Sequence, residues 1–184
     1  MKLFPSLLVL SAAVFSSSAL PTAAHAQGKS DYTLNEGQVH FQVPPAWAAI
    51  MEKSDGNPQA IAFQVPDVAA QGSEDTASVT VKTRQLTAAV EFAGTVAAEF
   101  EHAKTQSGYE SDAANKDAAV HQYFVVRGKT RYLVRDSFYQ IGMISVEVHC
   151  LRPLLAATAA AWNTQFDSAC DGVVASLKHS KNDQ

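Results

Sequence analysis

The stretch Ala119–Cys150, AVHQYFVVRGKTRYLVRDSFYQIGMISVEVHC, decides the fold of this chain. It divides into three runs, 119–126, 130–139 and 141–150, that are rich in β-branched and aromatic residues and read as strands. The connections around Gly128 and Gly142 are short and contain glycine, which is typical of tight hairpins. We therefore predict an antiparallel meander of three strands.

Upstream of the meander, the sequence predicts further short strands. Residues 38–43 alternate until Pro44-Pro45, where two residues without an N–H end the strand. Residues 47–51 and 60–65 flank the turn sequence Asp55-Gly56-Asn57-Pro58 and predict a hairpin. Residues 78–85 alternate again, with Val79, Val81 and Thr83 on one face and Thr80, Lys82 and Arg84 on the other.

Two segments have helical periodicity instead. In residues 88–107, Phe92, Val96, Phe100 and Ala103 form one apolar stripe, and Gly108 is positioned to end the helix in a left-handed cap. A second stripe, including Phe166, Cys170, Val173 and Leu177, predicts a helix from about 155 to 177. The predicted fold is α+β, an antiparallel sheet of about six strands sandwiched by two main helices.

The first 26 residues are typical of a secretory signal peptide. Lys2 precedes an apolar run that reaches Phe15, and Ala24-His25-Ala26 matches the A-x-A cleavage pattern. Ser16–Ser18 and Pro21 break the run before it is long enough for a membrane anchor. We expect a mature chain with one domain, 27–178, a polar tail, 179–184, and a periplasmic or secreted location.

Several of these features together resemble the PsbP-like fold superfamily. They are Phe41-x-Val43-Pro44-x-x-Trp47 after a strand, the central helix, the meander and the closing Val173–Leu177, VVASL. The resemblance implies a docking protein, because most members bind another protein. Several members are periplasmic, and some bacterial relatives are immunity proteins that block toxins. The resemblance transfers no catalytic residue to this chain.

Cys150 and Cys170 are the two cysteines of the chain. In an oxidising compartment we expect them to form a disulfide, with a buried free pair as the alternative. The bond requires most of 151–158 to be a returning loop, with the helix starting near Ala159, because Cα atoms more than about 7 Å apart cannot be bridged.

The sequence lacks the common patterns of catalytic and metal sites, so we predict no enzyme, no metal and no cofactor. Glu147-x-His149 and Glu99-x-x-His102 offer too few ligands for zinc. Glu147 and His149 are expected to pair across strands with a basic residue such as Arg131 or Arg135. Two alternatives remain open. One is a hydrolase built on His40, His121 or His149 with a distant carboxylate, and the other is a small-ligand carrier with a cleft lined by Tyr123, Tyr132 and Phe138.

A basic strip on the meander is the candidate protein-docking surface. It comprises Arg127, Lys129, Arg131 and Arg135, with Tyr139 on the same face as the last two. An exposed strand surface balanced by nearby acids is the simpler explanation of the same residues. The formal net charge of −4 gives no electrostatic reason to bind nucleic acid. The expected partner is another protein.

Overall fold

The computed structural model describes residues 28–117 and 119–182, so the predicted signal peptide lies outside the described residues. Within these two ranges there are nine strands and two α-helices. The strands are β1 (Ser30–Leu34), β2 (Val39–Val43), β3 (Ala48–Lys53), β4 (Gln59–Val65), β5 (Ala77–Gln85), β6 (Glu110–Ser111), β7 (Val120–Arg127), β8 (Thr130–Ile141) and β9 (Ile144–Pro153). The helices are α1 (Glu91–Lys104) and α2 (Ala160–Asn182), and a short 3-10 helix covers Val68–Ala70.

Seven strands form one antiparallel sheet in the order β3-β4-β5-β9-β8-β7-β6. The predicted meander is its second half, and the pairs Arg127↔Thr130 and Ile141↔Ile144 close its two hairpins. Gly128 and Gly142 have positive φ at these turns, which explains why glycine is found there. The predicted hairpin around 55–58 is confirmed as β3–β4.

The sequence analysis missed β1, which pairs with β2 in a separate two-stranded hairpin. β1 is short, and Leu34 is its only buried residue, so its pattern carries little signal. Asn35, Glu36 and Gly37 all have positive φ and turn the chain into β2.

The β1–β2 hairpin and α2 cover one face of the sheet, here called the α2 face. Phe63 of β4 packs there against two other aromatic rings. Its ring centroid lies 6.2 Å from that of Phe41 in β2 and 6.5 Å from that of Trp47. Residues of β5, β9 and α2 complete this larger core, among them Val81, Val146, Phe166 and Leu177. The apolar stripe of α2 is therefore buried as predicted.

α1 covers the opposite face, here called the α1 face. Its Ala103 packs against Tyr123 and Val125 of β7 and Tyr132 and Val134 of β8 in a smaller core. The fold is thus an antiparallel sheet between one helix and a layer made of a helix and a hairpin, which confirms the predicted α+β class.

Both helices have different ends from those predicted. α1 ends at Lys104 with Thr105 as its cap, so Gly108 does not cap it. Gly108 instead has φ +66°, and a Cβ built there would lie 2.5 Å from Val126 Cγ2. α2 begins at Ala160, later than Leu155, and is helical as far as Asn182, inside the segment predicted as a tail.

Cys150 of β9 and Cys170 of α2 form a disulfide with a Cα–Cα distance of 6.5 Å. The predicted condition is met, because a loop of six residues, 154–159, returns the chain before α2 begins. The bond therefore joins the central strand of the sheet to the helix that covers it.

Candidate functional site

A row of polar side chains crosses the α1 face at the centre of the sheet. Its members are neighbours on four consecutive strands, because His121 pairs with Asp136, Asp136 with His149 and His149 with Thr80. Side chains of cross-strand pairs lie on the same face. The ladder hydrogen bonds therefore fix the positions of two histidines and one carboxylate between them.

Asp136 is the buried centre of this row, with 4% of its surface exposed. One of its oxygens, Oδ1, lies 2.6 Å from His149 Nδ1, and the other, Oδ2, accepts a hydrogen bond from the Tyr123 hydroxyl at 3.0 Å. Burial, with the Asp136 charge, raises the pKa of Tyr123 well above its usual range. Burial alone would lower the pKa of His149, but the hydrogen bond to Asp136 and its charge raise it overall.

Next to the row, Lys82 of β5 lies between two carboxylates. Its Nζ is 2.9 Å from Glu99 Oε1 on α1 and 2.5 Å from Glu147 Oε2 on β9. Burial alone would lower the pKa of Lys82, but the two carboxylates raise it overall. Burial raises the pKa of Glu147, although the Lys82 charge acts in the opposite direction. Glu147 Oε2 is shielded from solvent and accepts no hydrogen bond of favourable geometry, even though Lys82 is close.

These groups line a cavity of about 230 Å³ between α1 and the sheet. The lining side chains are those of Thr80, Lys82, Glu99, His102, Ala103, Gln106, Tyr123, Asp136, Glu147 and His149. His102 is exposed at the edge of this cavity. Among the described residues, Asp136, Glu147 and His149 form the one group that could hold a metal ion, with candidate ligand atoms within 4.8 Å of one another.

The prediction that Glu147 and His149 pair with Arg131 or Arg135 is wrong. Their partners are Lys82 and Asp136. The physical reason is the alternation of side chains in β8, since Arg135 and Asp136 are consecutive and point to opposite faces. Arg135 lies on the α2 face, where it contacts the Asp167 carbonyl oxygen and the Asp171 carboxylate of α2.

The structure does not present the five residues of the basic strip as one surface. Arg127 and Lys129 are exposed at the β7–β8 turn, and Arg131 pairs with Glu110 at 2.7 Å. The Arg135 side chain is only 17% exposed, because its guanidinium contacts α2. Tyr139 is partly buried against the larger core. Docking through this strip stays a prediction.

The residues of the two open alternatives also separate. His149 and His121 flank a carboxylate, Asp136, whereas His40 is exposed on β2 in the hairpin. For the carrier, Tyr123 lines the cavity between helix and sheet, but Tyr132 is buried and donates to Asp75 Oδ1 at 2.8 Å. Phe138 lines an adjoining crevice with Lys82, Glu99 and Glu147.

Sequence reasoning missed Asp136 and Lys82 as members of the site, although each left a signal. Asp136 is the one charged residue in the series Tyr132, Val134, Asp136 and Phe138, which shares a strand face. Lys82 was placed on the polar face of β5. The missing information was that β5 lies beside β9, since the two strands are far apart in the sequence.

A second surface lies at the edge of the sheet, where β3 is the outermost strand. All six residues of β3 are exposed, including Ile50 at 59% and Met51 at 47%. Within the described residues, nothing hydrogen-bonds to the outer side of β3. A groove of about 340 Å³ lies at the Ala48 end of β3 and is also lined by residues such as Val65 and Val68.

The fold and these surfaces define the class of protein: an α+β protein built on one antiparallel sheet, with a polar cavity on one face and an open edge. No protein-family model matches the sequence, and no curated protein gives a significant match. No helix within the described ranges is both long and apolar enough to cross a membrane.

Several solved structures are similar in fold to this chain. The chain is similar to a protein from Bacteroides thetaiotaomicron, with a TM-score of 0.50, 16% identity and coverage of 82% of this chain. It covers 47% of that protein, so it spans about half its length. This likeness shows a shared fold.

Two further similarities are more distant. One is to PA94 from Pseudomonas aeruginosa, a protein of unknown function, with a TM-score of 0.44, 17% identity and coverage of 78% of this chain and 91% of the other. The other is to a mutant of the protein Mog1, with a TM-score of 0.46, 11% identity and coverage of 83% and 94%.

Proposed function

We propose that this chain is an exported, non-enzymatic protein-interaction module with a PsbP-like fold, and that it binds an extended segment of a partner protein along β3. The observation that carries this proposal is the open edge of the sheet. An edge strand presents a row of unpaired N–H and C=O groups, and a partner segment can pair with them as an added strand.

The side chains of β3 support docking of an apolar segment. Natural proteins usually protect long edges with charge, and Glu52 and Lys53 do so at one end of β3. A bulge between Ala49 and Met51 is a further protective feature of this edge. Ile50 and Met51 are nevertheless exposed, and an apolar segment could contact them. The adjacent groove offers space for a partner side chain, which is how strand addition gains specificity.

The opposite edge of the sheet is a poor alternative. β6 has only two residues, and its Glu110 is already paired with Arg131. Short, charged edge strands resist pairing with another chain. The structure therefore favours β3 over the β6 edge as the docking surface.

The arrangement around His149 supports the non-enzymatic part of the proposal. A histidine held by a carboxylate activates a protein nucleophile only when that nucleophile is within hydrogen-bond reach. Within the described residues, the hydroxyl of Thr80 makes no hydrogen bond to His149, and Cys150 is in the disulfide. An activity screen comparing wild type with His149→Ala tests this part, and an activity lost in the variant would contradict it.

Export is supported by the signal-like sequence 1–26 and by the disulfide, since disulfides persist in oxidising compartments. In the sharper form of the proposal, the partner is a toxin that this protein blocks. We expect the mature protein in the periplasmic fraction with Gln27 as its first residue. N-terminal sequencing measures this, and an uncut chain in the cytoplasm would contradict it.

Docking is tested by site-specific photo-crosslinking in cells. A photoreactive phenylalanine analogue at position 51 is expected to capture a partner. The same analogue at position 143 is the matched control, because Met143 is also an exposed methionine, at 37%, but lies in the β8–β9 turn. Met51→Lys should abolish binding of the captured partner, whereas Met143→Lys should not. Equal capture from both positions, or none from position 51, would contradict docking at β3.

The basic strip is tested in the same assay with Arg131→Glu. This change replaces an exposed arginine that contacts Glu110 and the Phe124 ring, 3.9 Å from the ring centroid. If the partner docks on β3, the variant should bind it as wild type does. Binding lost in Arg131→Glu and retained in Met51→Lys would move the docking surface to the strip.

A further inference from the structure

We propose that the cavity between α1 and the sheet is a binding site for a divalent transition-metal ion of the zinc type, held by Asp136, Glu147 and His149. This site is independent of docking at β3, because the cavity opens on the α1 face and β3 forms the sheet edge. The argument rests on the donor set, its rigidity, the charge of the cavity and the space within it.

The donor set suits zinc. Zinc is bound by imidazole nitrogen, carboxylate oxygen and thiolate, and a set of three protein ligands leaves a further position for water. Here one imidazole and two carboxylates converge, which also distinguishes the site from the oxygen-only sites that calcium and magnesium prefer. The cavity leaves space beside the three ligands for one or more water molecules.

The ligands are attached to a rigid support. Asp136 and His149 are directly paired across β8 and β9, and Glu147 lies two residues before His149 on the same strand and face. Their candidate donor atoms lie within 4.8 Å of one another. Tetrahedral zinc bonds place donor atoms about 3.4 Å apart. Glu147 therefore has to approach by about 1 Å, and Asp136 Oδ1 and His149 Nδ1, now 2.6 Å apart, have to separate by about 1 Å if His149 binds through Nδ1. Glu147 can make this approach, because its carboxylate is at the end of a flexible side chain.

Two further side chains are placed as outer partners of the ligands. The Tyr123 hydroxyl donates to Asp136 Oδ2, which fixes the carboxylate orientation. Such outer hydrogen bonds orient metal ligands in known sites. Asp136 Oδ1 lies 2.6 Å from His149 Nδ1, and an ion held between these two atoms would replace that contact. Lys82 contacts Glu147 through one carboxylate oxygen and keeps Glu99 as a partner when a cation binds Glu147.

The charge of the cavity matches a divalent cation. Glu99, Asp136 and Glu147 contribute three negative charges, and Lys82 contributes one positive charge. With the His149 imidazole neutral, as metal binding requires, the net charge is about −2. Lys82 contacts Glu147 through Oε2, so the other carboxylate oxygen, Oε1, is the one available to the ion. One divalent ion would neutralise the net charge of the cavity.

The test is a titration of the untagged mature protein with Zn²⁺ alone, followed by calorimetry and by metal analysis after dialysis. We expect one Zn²⁺ per chain. Glu147→Gln and His149→Gln should each weaken binding by more than about 100-fold, and Tyr123→Phe by about 10-fold to 100-fold, the range typical of outer partners. Glu101→Gln, on the exposed side of α1, and His40→Gln, on β2, are matched controls that should bind as wild type.

Lys82→Met separates a metal site from a purely structural ion-pair network. Lys82 competes with the metal for Glu147, so its removal should tighten Zn²⁺ binding by about 10-fold or more, as expected when a neighbouring positive charge is lost. If this variant does not fold, the wild-type and Glu147→Gln titrations still decide the question. No Zn²⁺ binding by wild type, or binding unchanged in Glu147→Gln and His149→Gln, would overturn the proposal.

Discussion

At the scale of single residues, Arg152 makes the most specific contact between the sheet and α2. Its buried guanidinium donates to both carboxylate oxygens of Asp167, at 3.0 and 3.2 Å, and to Asn163 Oδ1 at 3.0 Å. Planar bidentate pairing of this kind is particular to arginine. Sequence reasoning did not find it, because the two partners lie on elements whose mutual orientation is set by the whole fold.

We expect Arg152→Met to lower the free energy of unfolding by about 1.5–3 kcal/mol, the range for hydrogen bonds to charged groups. Asp167 is one-third exposed, which keeps the expected loss below that of a fully buried pair. Chemical denaturation measures the change. Arg84→Met is the control, because Arg84 is exposed on β5 and should change stability by no more than about 0.5 kcal/mol. Equal losses in both variants would contradict the role given to Arg152.

The carboxylate of Asp75 is expected to make the stability of the fold depend on pH. The Thr130 hydroxyl, at 2.7 Å, and the Tyr132 hydroxyl lower the pKa of Asp75 below its usual value. The folded-state pKa is below the unfolded one, so this contribution to stability is present above about pH 4, the unfolded value, and is lost as pH falls through the folded pKa.

In Asp75→Asn this titration is absent, so we expect stability to fall less between neutral pH and about pH 3 than it does in wild type. Denaturation curves across this range measure the difference. Asp55→Asn, in the exposed β3–β4 turn, is the control and should retain the wild-type dependence. A wild-type slope in Asp75→Asn would contradict the assignment.

At the scale of elements, two glycines of the α1 region respond oppositely to alanine. Gly108 follows α1 with φ +66°, and an added Cβ would meet Val126 of β7 at 2.5 Å. Gly94 lies inside α1, and an added Cβ there would meet nothing within 4 Å. The same substitution therefore tests a close approach of loop and strand at one site and helix propensity at the other.

We expect Gly108→Ala to destabilise the fold by about 1–3 kcal/mol, the range for strained backbone and overpacking. Gly94→Ala should stabilise it by about 0.5–1 kcal/mol through helix propensity. Thermal and chemical denaturation of the two variants give the comparison. A neutral Gly108→Ala would show that β7 can move away from the loop without cost.

At the scale of the whole molecule, the disulfide acts mainly on the unfolded chain. Cys150 and Cys170 are 20 residues apart, and in the chain-entropy model closing such a loop adds about 3 kcal/mol of stability. We expect the double variant Cys150→Ala, Cys170→Ala, which adds no polar group to the core, to lose about this amount. A reducing agent should lower the stability of wild type and leave the double variant unchanged. Sensitivity of the double variant to the reductant would contradict this reading.

The sequence was sufficient for those parts of the fold that depend on local pattern. Alternation around Val146 and Val148 predicted the meander, and the stripe from Phe166 to Leu177 predicted α2, because both signals are contained in neighbouring residues. The position of Lys82 beside Glu147 could not be predicted in this way. It depends on β5 pairing with β9, a contact that closes a long loop and that periodicity does not specify.

Only part of the candidate site could therefore be predicted from the sequence. The spacing of Glu147 and His149 identified them as candidates. Their predicted partners, Arg131 and Arg135, lie on the opposite face of β8. Asp136 is on the correct side, and its burial becomes clear only when α1 is placed over the sheet. Strand order and layer packing, rather than residue type, supplied the missing part.

The unequal edges of the sheet also limit how copies of this protein could assemble. The β3 edge is long and accessible, whereas β6 is two residues long and holds a charged residue. Two molecules joined edge to edge through β3 would use up the accessible edge of each, giving a closed pair related by two-fold symmetry. Within the described residues, the seven-stranded sheet would then offer a third molecule only the two-residue β6 edge, so pairing through this sheet would stop at two.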